Sequence, residues 1–101
     1  MSYTPVMLQQ FDPDTEEWTD VKVLHALQIN HAGGNENFES GAEQYHIRLK
    51  FRFAYTKLVA QIRFAPQHYQ LVYNGQLFNI IGFDDYMEQH LYANITGEAY
   101  G

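Results

Sequence analysis

Gln44-Tyr45-His46-Ile47-Arg48-Leu49-Lys50-Phe51-Arg52-Phe53 carries the cleanest alternation in the chain. Tyr45, Ile47, Leu49, Phe51 and Phe53 share one side, and Gln44, His46, Arg48, Lys50 and Arg52 share the other. A period of two makes one apolar and one polar face only when the backbone is extended, so this stretch is a strand with one face buried. On its C-terminal side, Tyr55 to Arg63 loses that period. Lys57 to Ile62 reads as a short helix with Leu58 and Ile62 on one face, and Pro66 stops it. Tyr69–Tyr73 and Gln76–Ile81 then flank Asn74-Gly75, where a type I′ turn needs φ > 0 at both residues, so they form a hairpin. Phe83–Gln89 reads as an acidic connection and Leu91–Thr96 as a closing strand, with residues 97–101 left as a C-terminal tail.

On the N-terminal side lies a long Gly-rich loop, residues 31–44; its His31–Gly41 part holds three of the seven glycines. A loop of that length inside a compact domain is usually functional, or disordered when alone. Before it, Trp18 to Asn30 alternates as one long strand. Val21, Val23, His25, Leu27 and Ile29 lie on one face, and Lys22, Leu24, Ala26, Gln28 and Asn30 on the other. Asp12-Pro13-Asp14-Thr15 is a turn by its Pro and its backbone-bonding Asp residues, and Val6–Phe11 is a first strand. The fold class is therefore all-β: a small β-barrel or sandwich of about six antiparallel strands, one short helix and a long loop.

Composition narrows the setting. The chain has 101 residues, 46% apolar and 16% aromatic, which fits one folded domain over residues 1–101 and argues against disorder. It has no Cys, so neither a disulfide framework nor a thiolate metal site is open to it. Six Lys or Arg against twelve Asp or Glu give a net charge of −6, which removes counterion release as a general engine for gripping DNA. Met1–Pro5 shows no basic segment followed by an apolar one, and no apolar run approaches the roughly 20 residues of a membrane span. The expectation is a soluble protein, made in the cytoplasm and not associated with a membrane.

Few constellations point to chemistry. Asp12, Asp14 and Glu16 have the first spacings of a calcium loop, but that loop needs Gly at its sixth place and Glu at its twelfth, where this chain has Glu17 and Val23. A solvated acidic turn is the simpler reading. None of the five histidines, His25, His31, His46, His68 and His90, shows a metal-ligand spacing, and His25 reads as a satisfied core histidine. Gly33-Gly34 lacks the Lys-Ser/Thr that follows in a phosphate loop. Ser2 and Ser40 stand on no strand-turn-helix elbow. Asn94-Ile95-Thr96 matches a glycosylation sequon that has no use without secretion. No catalytic, cofactor-binding or metal-ligating residue emerges.

Arg48, Lys50 and Arg52 are half of all Lys and Arg and share one strand face. They suit DNA, acidic groups of a neighbouring subunit, or simple solvation, and sequence leaves the three open. Tyrosine, with eight copies, suits interfaces because its ring is apolar and its hydroxyl is not. Tyr86, Tyr92 and Tyr100 around the closing strand are candidates for docking a partner, against a reading as ordinary strand composition.

A resemblance covers most of the chain, most specifically its back half. Phe51-Arg52-Phe53, Lys57-Leu58, Tyr69-Gln70-Leu71-Val72-Tyr73-Asn74-Gly75, Phe78-Asn79-Ile80, Asp84-Asp85-Tyr86-Met87-Glu88 and Gly97-Glu98 follow one another. Their order resembles that of the head-tail adaptor (head-closure or head-completion) family of tailed bacteriophages. The front half agrees, with an early strand, the Glu16-Glu17-Trp18-Thr19-Asp20 turn and the long loop. One departure is Gln70, where the family often has Arg. The resemblance implies a structural protein of the virion neck, not an enzyme, forming a ring of typically about twelve copies. Above it would sit a connector adaptor protein on the portal, and below it a tail terminator or tail protein. Packaged DNA would pass through the channel without sequence-specific binding. The loop residues Gly33, Gly34, Asn35, Glu36, Asn37, Phe38 and Glu39 would project into that channel by their position. Two other readings stand beside it: a tail-terminator or tail-completion ring, and a monomeric small-ligand barrel with a cavity lined by Tyr45, Phe51, Phe53 and Tyr73. An enzyme using His68 or His90 with Asp84 or Asp85 is the remotest.

Overall fold

The computed structural model describes residues 3–31, 46–85 and 91–100. Seven strands lie among them: β1 (Thr4–Asp12), β2 (Glu17–Ala26), β3 (Gln28–His31), β4 (His46–Ala54), β5 (Tyr69–Tyr73), β6 (Gln76–Asp85) and β7 (Tyr92–Tyr100). The helix α1 spans Lys57–Phe64, and a single 3₁₀ turn, Pro66–His68, leads into β5. All pairings are antiparallel in one sheet of order β2-β1-β5-β6-β7-β4-β3.

β2 and β3 are the two edges of that sheet, yet only Leu27 separates them in sequence. The long strand read from 18 to 30 is thus broken by a bend at Leu27 and changes partner there. Up to Ala26 it pairs with β1 and from Gln28 with β4. The Leu27 N–H donates to the Arg52 carbonyl at 2.7 Å, which carries the chain across. The sheet folds over on itself in sandwich fashion and does not close into a barrel. The crossing also flips the face that is buried. Leu24 and Ala26 point inward from β2, but Ile29, opposite the buried Phe51, packs on the core from β3. A step of three residues is odd, so a strict two-residue period cannot span it. Val23 and His25 consequently lie on the exposed side, and His25 is not a core histidine.

The alternation in β4 holds: Leu49, Phe51 and Phe53 are buried, and Lys50 is exposed. Their inner face meets Val6 and Leu8 of β1, Leu71 of β5, Phe78 and Ile80 of β6, and Ala93, Ile95 and Ala99 of β7 in one core. α1 adds Val59 and Ile62 to that core. Leu58 is only partly buried, so Val59 takes the place expected for it. Thr56 caps the helix, its hydroxyl accepting the Val59 N–H at 3.2 Å.

Both turns follow their residues. Asn74 and Gly75 have φ of 57° and 78°, the positive pair that a type I′ hairpin requires. At the β1–β2 turn the Asp14 N–H bonds Asp12 Oδ1 at 2.9 Å, and the Glu16 N–H bonds the Asp12 carbonyl at 2.6 Å. Closing this turn puts Glu16 at φ 58°, a left-handed conformation that costs a residue with a Cβ about 1 kcal/mol. Glu16→Gly is therefore expected to raise stability by about 0.5–1 kcal/mol in urea unfolding. A loss of stability would contradict the strain.

Two strands outrun their expected ends. β6 continues through Phe83-Asp84-Asp85, which were expected in a connection; a register shift between Ile80 and Gly82 lets the ladder resume. β7 continues through Gly97 to Tyr100, so residues 97–100 are ladder and not tail. The loop from Gly33 to Glu39, with Tyr45 and Tyr86, lies outside the described residues.

Candidate functional site

Because β4 sends Leu49, Phe51 and Phe53 inward, Arg48, Lys50 and Arg52 share the outer face. Each meets a β7 residue directly across the ladder: Arg48 faces Glu98, Lys50 faces Thr96 and Arg52 faces Asn94. Arg48 Nε donates to Glu98 Oε2 at 2.9 Å. The Glu98 side chain is 11% exposed and that of Arg48 is 44% exposed, so the pair is half-screened by water. Arg52 Nε donates to Asn94 Oδ1 at 3.2 Å, and its guanidinium carbon lies 4.3 Å from the centre of the Tyr92 ring. Tyr92 thus joins the cation row, while Tyr100 ends β7 opposite His46.

Sequence reading missed Asn94 and Glu98 as partners of these cations. The signal was there: Tyr92, Asn94, Thr96 and Glu98 alternate with Ala93, Ile95, Gly97 and Ala99, and the polar set continues past Thr96. Treating Gly97 as the start of a tail cut that pattern short.

The same register extends a polar row across six strands, from Asp20 through Gln9, Gln70, Asn79 and Glu98 to Arg48. Gln9 Nε2 donates to Asp20 Oδ1 at 2.8 Å, and Gln70 Nε2 donates to Gln9 Oε1 at 2.7 Å. Gln70, the departure from the resembled pattern, is buried within this row.

Beyond this face are a cleft of about 250 Å3 by Tyr3, Leu27, Phe53 and Leu58, and one of about 350 Å3 by Ile29, His31, Ile47 and Tyr73. The ligand-barrel reading expected one cavity lined by Phe51, Phe53 and Tyr73; instead Phe51 is buried in the core against Tyr73 and Phe78, and Phe53 and Tyr73 border two different clefts. Among the described residues, no three His, Asp or Glu side chains group as a metal site. What the outer face offers is charge and hydrogen bonding held in fixed register.

A family model described as phage head completion protein matches residues 9–99, from within β1 almost to the end of β7. No curated protein matches the chain. The fold recurs in a chain of the virion of a native gene transfer agent particle, at 10% identity and a TM-score of 0.69, covering 100% of this chain and 97% of that one. At that identity the likeness is one of fold. The protein is a structural component of a phage-type virion, where it assembles with other virion proteins. The chain belongs to the phage head completion protein family.

Proposed function

We propose that the chain is a subunit of the ring that completes the neck, docked below the portal and its adaptor. In that place it helps retain packaged DNA and offers the surface on which the tail attaches, without catalysing a reaction. The family match over residues 9–99 carries this reading, because it takes in at least part of all seven strands and not a single hairpin. Physical features fit it. Among the described residues, both edges of the sheet carry backbone groups with no ladder partner, which neighbours in a ring would cover. A net charge of −6 repels DNA, as a channel lining that must release DNA requires. Residues 33–39 are assigned to the channel by loop position, and Glu36 and Glu39 would add to that repulsion.

Reconstruction of the particle with the chain labelled is the test. The expected result is density for the chain in the neck, between portal and tail. In its absence, heads that filled with DNA should fail to join tails and should lose DNA. Density in the capsid shell or at the tail tip would overturn the reading, and density at the head-proximal end of a free tail would favour a tail-completion role.

A further inference from the structure

β1 is paired on both sides only from Met7 to Gln10, where β5 lies against it. Beyond Gln10, the pairs Phe11–Trp18 and Asp12–Glu17 belong to a two-stranded ribbon that leaves the sheet. All of β2 from Glu17 to Val23 is exposed. Such a ribbon has little stability of its own; here one aromatic pair braces it, Phe11 and Trp18 meeting edge-on at 5.4 Å. The arm carries five carboxylates between residues 12 and 20 and no Lys or Arg.

The opposite charge stands elsewhere on the same molecule. Lys50 and Arg52 face the neutral Thr96 and Asn94 across the ladder, so their charge is not cancelled there as that of Arg48 is by Glu98. β4 is four strands from β1 in the sheet order. Two complementary patches at different places on one chain make a head-to-tail contact, and repeated head-to-tail contacts form a ring where the rotation between copies closes. At a net charge of −6 per copy, subunits repel unless such patches meet.

We propose that the β1–β2 arm of one copy lies on the outer face of β4 in the next copy, with Asp14 and Glu16 against Lys50 and Arg52. This rests on the ring reading above and names the surfaces that would join the ring.

The chain has no Cys, so a Glu16→Cys, Lys50→Cys double variant reports this contact cleanly. In particles carrying it, mild oxidation should give a ladder of dimers and larger species on a non-reducing gel, lost on reduction. A single-copy band from particles that contain the chain would overturn the arm contact while leaving the neck assignment intact. Charge exchange decides the case if the Cys variant is not incorporated. Glu16→Lys and Lys50→Glu should each lower incorporation by roughly tenfold through like-charge contact, and the two together should restore it. Failure of the pair to restore it, or loss from Lys50→Glu alone, would assign the cation face to DNA or another virion protein and overturn the proposal. Absence of the unmodified chain from the neck would instead remove the ring reading.

Discussion

Phe51→Ala is expected to destabilise the fold by about 3–5 kcal/mol, the range for emptying a buried aromatic site. Phe51 is 0% exposed and lies at the centre of the aromatic core. Its ring meets Phe78 edge-on at 5.6 Å and Tyr73 edge-on at 5.7 Å, and stacks parallel to Phe53 at 6.1 Å. These neighbours come from β4 and from the β5–β6 hairpin, which β7 separates from β4, so no single strand can shift to refill the space. A domain of this size is stable by about 5–15 kcal/mol, so the variant should be near the edge of folding. Urea unfolding followed by near-ultraviolet circular dichroism measures the loss. A cost below about 1 kcal/mol would mean that the ring is not packed as described. Phe51→Leu, which keeps most of the volume, should lose clearly less.

Gly97→Ala tests the opposite error, too much volume. Gly97 lies between Leu49 of β4 and Ile80 of β6 in the ladder. A methyl group on it would sit 2.9 Å from Phe78 Cβ and 3.3 Å from Phe51 Cε1. The Phe78 Cβ is fixed to its backbone and cannot swing aside, so β6 and β7 must part. The expected cost is about 1–3 kcal/mol, the usual penalty of overpacking. This outweighs the gain of up to about 1 kcal/mol that Gly→Ala brings by restricting the unfolded chain. Gly82→Ala is the control on a neighbouring strand. Its methyl would meet Thr96 Cβ at 3.5 Å, an ordinary contact, so that variant should be neutral or slightly stabilised. Equal stability of Gly97→Ala and Gly82→Ala would refute the close approach of Phe78.

The cation face shows where sequence reading reached and where it stopped. That Arg48, Lys50 and Arg52 share a face followed from their spacing alone. That Arg48 meets Glu98, 50 residues away, did not, because pairing depends on which strands become neighbours. Tyr92 was singled out for its ring, but its use, with Arg52 stacked at 4.3 Å, belongs to the same register. The family match gives the chain its place in a virion, whereas the arm and the face it would meet come from the geometry.

Strand, turn and helix were determined by the sequence wherever a local rule operates. The two-residue period of β4 needs only an extended backbone, and Asn74-Gly75 needs only positive φ. The Thr56 cap is equally local, its hydroxyl accepting a backbone N–H three residues on, although sequence reading passed over it. Only the tertiary structure decided that Leu27 carries the chain from one sheet edge to the other, reversing the buried face between Ala26 and Ile29. It also decided that Gly97 and Glu98 are ladder residues, one pressed against Phe78 and the other bonded to Arg48. Both outcomes depend on strands distant in sequence. A local pattern states which face is apolar, but the partner that covers it is chosen by the packing of the whole sheet.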